Sequence, residues 1–120
     1  MKLLIVDDSM ILRAHLKQAL KQFNLEIVGE AVNGIEALDH FRKQQPDLVT
    51  MDITMPEMDG LTCTREMLKL NPDVKIIIIS ALSSADVAIQ AVAAGAKDFI
   101  RKPFEPAELE RAVQSILCRD

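Results

Sequence analysis

Two hydrophobic textures alternate along this chain. Short apolar runs at residues 2–6, 48–51 and 74–79 have almost no polar position within them, as strands covered on both faces require. Between the runs, apolar residues recur every three or four positions, the period of a helix with one buried face. The first such stripe is Leu12, Leu16, Ala19, Leu20 and Phe23, after a turn at Asp7-Asp8-Ser9 in which Asp8 or Ser9 can cap the helix. A second strand over residues 25–31 leads to Asn33-Gly34 and the stripe Ile35, Leu38 and Phe41, which ends before Pro46. The third helix is expected over residues 61–70, with Met67 and Leu68 facing the core and Asn71-Pro72 as the stop. A helix over residues 84–94 is apolar nearly all round, and Gly95 is its natural C-cap. Residues 97–100 form a short strand, and a last helix starts at Pro106 and carries Leu109, Val113, Ile116 and Leu117. Five strands alternating with five helices predict an α/β fold, a parallel sheet with helices on both faces.

Composition narrows the function classes. A chain of 120 residues, 49% apolar and 27% charged, reads as one ordinary globular domain over residues 1–120. The net charge of -4 argues against a nucleic-acid surface. Cys63 and Cys118 stand in no metal-ligand spacing and read as reduced thiols. No apolar run is long enough to span a bilayer, and the N-terminus has no signal-peptide pattern, so a cytoplasmic protein is expected. His15 and His40 read as surface residues on helices.

Candidate chemistry gathers at the strand ends. A parallel sheet points every C-terminal strand end to one edge, where ligands bind. That edge receives Asp7 and Asp8 after the first strand, Asp52 at the third, Ser80 after the fourth and Lys102 after the fifth. Taken singly, each has an ordinary reading: a helix cap, a turn hydroxyl, a solvated lysine. Taken together they are coherent. Like charges about 4 Å apart repel by roughly 4 kcal/mol at an effective dielectric near 20, and one lysine cannot neutralise three carboxylates. A hard divalent cation can, and Mg²⁺ suits a few carboxylates, waters and phosphate oxygens. The set therefore predicts a Mg²⁺ site in which Asp52 acts as nucleophile toward a phosphoryl group, with Lys102 and the Ser80 hydroxyl directed at its oxygens.

These residues also carry a resemblance. LLIVDDS at residues 3–9, TMDITMPEMDG at 50–60, IIIISA at 76–81 and AKDFIRKPF at 96–104 resemble, at matching spacing over the whole chain, the receiver domain of CheY-like response regulators. The resemblance implies the doubly wound, flavodoxin-like (βα)5 fold with strand order 2-1-3-4-5. It implies that Asp52 is the phospho-acceptor and that Asp7 and Asp8, with Asp52 and the backbone carbonyl of Thr54, hold Mg²⁺. Lys102 then binds the phosphoryl group, Ser80 follows it, Phe99 is an aromatic switch, and Lys102-Pro103 is a cis peptide. Thr54 and Leu82 occupy positions that tune phosphoryl lifetime in this family, and both differ from common variants there.

The expected partners are a chemotaxis-type histidine kinase and a flagellar motor switch protein, or another output protein, bound through helix four, strand five and helix five. The expected state is a monomer that catalyses only its own phosphorylation and dephosphorylation. The chain stops at Asp120 with no linker into an effector, so it resembles a single-domain regulator. An isolated receiver from a multidomain regulator is the alternative. A flavodoxin-like electron carrier is disfavoured because Asp7-Asp8 would repel a bare phosphate and no Trp or Tyr is present to stack on a flavin. An aspartyl-nucleophile phosphatase would want an acid where Thr54 stands.

Overall fold

The computed structural model describes residues 1–82 and 84–118. Strands β1 (Lys2–Val6), β2 (Glu26–Ala31), β3 (Leu48–Met51), β4 (Lys75–Ser80) and β5 (Asp98–Arg101) alternate with helices α1 (Met10–Ala19), α2 (Gly34–Gln44), α3 (Gly60–Leu70), α4 (Ala85–Ala93) and α5 (Pro106–Leu117). All four strand pairings are parallel, in the order β2-β1-β3-β4-β5. This is the doubly wound α/β architecture that the apolar pattern and the resemblance predict.

The two-residue period of the strands sorts their side chains onto two cores. Leu4 and Val6 of β1, Val49 and Met51 of β3, and Ile76 and Ile78 of β4 pack under α2, α3 and α4, against Leu38, Phe41, Cys63, Met67 and Ala91. Leu3, Ile5, Leu48, Ile77 and Ile79 pack on the opposite face under α1 and α5, against Leu16, Leu109, Val113 and Ile116. Burial on both faces explains why the central strands show no polar alternation.

Helix boundaries follow their caps. Ser9, rather than Asp8, caps α1, its Oγ accepting from the Leu12 N–H at 3.2 Å. Asn33, Asp59 and Ser84 cap α2, α3 and α4 in the same way, and Gly95 beyond α4 adopts φ +105°. The expected stripe of α2 needs one correction: Ile35 is 55% exposed, and the buried positions are Gly34, Ala37, Leu38 and Phe41. Gly34 packs so closely on Met58 that an added Cβ would sit 2.6 Å from its side chain. That contact turns the Gly34 side of the helix inward and Ile35 outward. Leu117 at the end of α5 is likewise exposed.

The loop from Asp52 to Gly60 doubles back on the end of β3. Gly60 N–H donates to the Ile53 carbonyl at 2.8 Å, and Met58 N–H to the Pro56 carbonyl at 2.8 Å around Glu57, whose φ is +71°. A Cβ on Gly60 would overlap the carbonyl oxygen of Asp52. Replacing a helical Gly by Ala ordinarily gains about 1 kcal/mol. Here the overlap reverses the sign, and Gly60→Ala is expected to cost about 1–3 kcal/mol. The check is a lowered urea midpoint; a raised one contradicts this packing.

Candidate functional site

Strand order reverses between β1 and β3, so a crevice opens at their C-terminal ends. Backbone bonds carry each acid of that crevice out from its strand: Asp7 N–H donates to the Ala31 carbonyl at 2.9 Å, and Asp52 N–H to the Val6 carbonyl at 3.0 Å. Carboxylate oxygens of Asp7, Asp8 and Asp52 all lie within 4.8 Å of one another, with Asp7 and Asp52 buried and Asp8 exposed. Lys102 enters from the end of β5, its backbone N–H tied to the Ser80 carbonyl at 2.8 Å. Its Nζ stands 2.8 Å from Asp7 Oδ2 and 3.5 Å from Asp52 Oδ2.

The two buried acids are not equivalent. Asp7 accepts from Lys102 on one oxygen and from the Ser9 N–H, at 2.8 Å, on the other. Asp52 has the longer contact to Lys102. Burial pushes its pKa up, Lys102 opposes that shift, and the charges of Asp7 and Asp8 add to it. A carboxylate left short of partners among like charges is disposed to react with an electrophile or to take a cation.

Of the residues singled out in the sequence, Asp7, Asp8, Asp52 and Lys102 come together. Ser80 is buried at the end of β4 as expected, and its Oγ accepts from the Leu82 N–H at 3.1 Å. Thr54 is exposed in the loop after Asp52. Phe99 is half-buried and packs on the α2–α3–α4 side of the sheet. The Lys102-Pro103 peptide is cis. A groove of about 850 Å³ between α1 and α5, lined by Leu12, Ala19 and Phe104 among others, shares only Lys102 with the cluster.

Sequence reasoning missed Arg13. Its Nη1 donates to the Asp7 carbonyl at 2.7 Å and its Nε to Glu30 Oε1 at 3.0 Å, while Lys17 Nζ reaches Glu30 Oε2 at 2.9 Å. Lys17 first, then Arg13, hold the Glu30 carboxyl below its usual range against the effect of burial. The signal was two cations four residues apart on α1, legible only once β2 is known to lie beneath them.

The donor set is all carboxylate oxygen, the hard ligand type that Mg²⁺ prefers, so the residues present fit that ion. No helix among the described residues is long and apolar enough to cross a membrane.

A family model described as the response regulator receiver domain matches residues 3–114. The chain is 44% identical over 115 residues to the chemotaxis protein CheY of Thermotoga maritima, covering 96% of each. It is 43% identical over 116 residues to CheY of Bacillus subtilis, covering 97% of each. A chain of the CheX-CheY-BeF3-Mg²⁺ complex from Borrelia burgdorferi superposes with a TM-score of 0.93 at 34% identity, over 98% of this chain and 90% of that one. The chain belongs to the response regulator receiver domain family. Its similarity to chemotaxis relatives over nearly their whole length makes it a phosphorylation-activated response regulator of the chemotaxis kind.

Because the pKa of Asp52 is raised by folding, its ionised form costs stability, and that cost appears as pH rises through the folded pKa. Asp52→Asn, free of metal, is therefore expected to melt a few degrees above the wild type at pH 7. The gap should close as pH falls through that pKa. Scanning calorimetry in EDTA checks this, and a variant that melts lower at pH 7 contradicts it.

Proposed function

We propose that Asp52 is the phospho-acceptor of a Mg²⁺-dependent signalling switch. The observation that carries the reading is the convergence of three carboxylates within 4.8 Å, with one lysine bridging two of them. A carboxylate oxygen of Asp52 attacks phosphorus, the bond from phosphorus to the imidazole nitrogen of a histidine kinase's phosphohistidine breaks, and that nitrogen leaves with the electron pair while the other ring nitrogen keeps its proton, so the imidazole departs neutral. The products are an aspartyl phosphate and a neutral histidine. Lys102, freed from Asp52, pairs with a phosphoryl oxygen and keeps the product oriented. Asp7, Asp8 and Asp52, with the carbonyl of Thr54, would hold Mg²⁺, which when bound offsets the carboxylate charge and polarises the phosphoryl oxygens. The Borrelia CheX-CheY complex, which contains Mg²⁺ and BeF3, supports Mg²⁺ as the cation.

Next to the acids, Met10 and Ile11 at the start of α1 are 74% and 70% exposed. Apolar side chains so placed suit the docking of a kinase's phosphohistidine domain. On the output side, the Ser80 hydroxyl leaves the Leu82 N–H for the phosphoryl group, and Phe99 turns into the space vacated. The face built from α4, β5 and α5 then shifts between two arrangements. Its exposed Ile89 and Val92, and a groove of about 330 Å³ lined by Phe99, Arg111 and Ser115 among others, supply a surface for a flagellar motor switch protein. The protein works in the cytoplasm as a monomer and catalyses only its own phosphoryl gain and loss.

Incubation with acetyl phosphate and Mg²⁺ is expected to add one phosphoryl group per chain by intact mass, acid-stable and base-labile. Asp52→Asn or chelation should abolish the adduct, and Lys102→Ala should lower labelling by roughly 10²-fold or more. Equal labelling of Asp52→Asn overturns the assignment, and steady phosphomonoester turnover favours the phosphatase reading instead.

A further inference from the structure

Among the described residues, Arg13 is the one cation whose side chain grips the backbone of the acidic turn itself. It is nearly buried, its side chain 13% exposed, and it bonds in two directions at once. One arm of its guanidinium donates to the carbonyl of Asp7, and its Nε donates to Glu30 on the edge strand β2. The Asp7 N–H is already committed to Ala31, the neighbour of Glu30. Both the donor and the acceptor of the Asp7 peptide are thus referred to the end of β2, one directly and one through Arg13. That double attachment holds the backbone from which the Asp7 side chain, and Asp8 after it, project.

We propose that Arg13, itself held by Glu30, is a positioning residue that fixes the Asp7-Asp8 turn and thereby sets the affinity of the acidic cluster for its divalent cation. The inference rests on the reading of Asp7 and Asp8 as ligands of Mg²⁺. Its physical basis is preorganisation: residues behind a ligand hold it in register, so the ion does not have to order a loose turn on binding. Simple electrostatics makes the opposite prediction. A guanidinium beside the site repels a cation, so removing its charge would tighten binding if charge alone mattered.

Three substitutions separate these causes. Arg13→Gln removes charge and fork together. Arg13→Lys keeps the charge but lacks a planar fork that can reach a carbonyl and a carboxylate at once. Lys17→Gln removes the other cation on Glu30, at 2.9 Å, without touching Asp7.

The experiment is a titration with MgCl2 alone, following the amide signals of Asp8 and Ser9 by NMR, with thermal melts to confirm that each variant is folded. Arg13→Gln and Arg13→Lys are expected to bind Mg²⁺ roughly 10-fold more weakly than the wild type, the lower end of what outer-shell partners cost. Glu30→Gln should weaken it about 3-fold through the same chain, and Lys17→Gln should leave it unchanged. With acetyl phosphate, Arg13→Gln should regain wild-type labelling at saturating Mg²⁺, which separates ion affinity from chemistry. If Arg13→Gln or Arg13→Lys binds as tightly as the wild type, or more tightly, or if Lys17→Gln weakens binding as much, the proposal is wrong. A wild type that gives no saturable shift with MgCl2 overturns the ion site itself, a different result from these.

Discussion

Three carboxylates share one end of the sheet, and the remainder of the site is arranged around the repulsion that this creates. At an effective dielectric near 20, oxygens about 4.8 Å apart repel by roughly 3–4 kcal/mol per charged pair. A fold of this size has a total stability on the order of 5–15 kcal/mol, so such crowding is kept only where something offsets it. Lys102 offsets part, and it does so unevenly, closer to Asp7 than to Asp52. The consequence is one satisfied acid and one that is buried, short of partners and raised in pKa. The proposed function follows from that inequality: a cation would relieve the cluster, and the unsatisfied carboxylate would be free to take a phosphoryl group.

The fold makes the crowding possible. The acids come from segments far apart in sequence, and only the parallel order that sets β1 beside β3 brings their ends together. Apolar residues on both faces of those strands fix the register, because a slip of one residue would exchange the two cores. Behind Asp52 the loop can fold back only because Gly60 has no side chain to meet the Asp52 carbonyl. Stability and site geometry therefore draw on the same contacts.

Much of this was legible in the sequence, for identifiable reasons. The unbroken run Ile76 to Ile79 could only be a strand covered on both faces, and the turn signals bounded α2 to α5 to within a residue or two, whereas the stripe read for the first helix ran on to Phe23, past the end of α1 at Ala19. Asp7, Asp52 and Lys102 were legible because parallel topology puts strand ends on one edge. Ile35 misled because a helical period allows neighbouring stripes, and the choice between them was made by the approach of Gly34 to Met58, a tertiary contact with no local signature. Arg13 was hidden for the same reason, since its partners are far apart in sequence, the Asp7 carbonyl just past the end of β1 and Glu30 on β2. The positive φ of Glu57 was equally invisible, because no glycine marks it.

The most direct test of the central claim, that the carboxylate cluster is a destabilising concentration of charge which a divalent cation relieves, is the thermal midpoint of the unphosphorylated protein at pH 7. It should be measured in MgCl2 and in NaCl of equal ionic strength. The account predicts a midpoint that rises with MgCl2 well beyond the NaCl control, as binding to the folded state alone requires, and a smaller rise when Asp7 is replaced by Asn. Equal midpoints in the two salts, or an undiminished rise in Asp7→Asn, would contradict it.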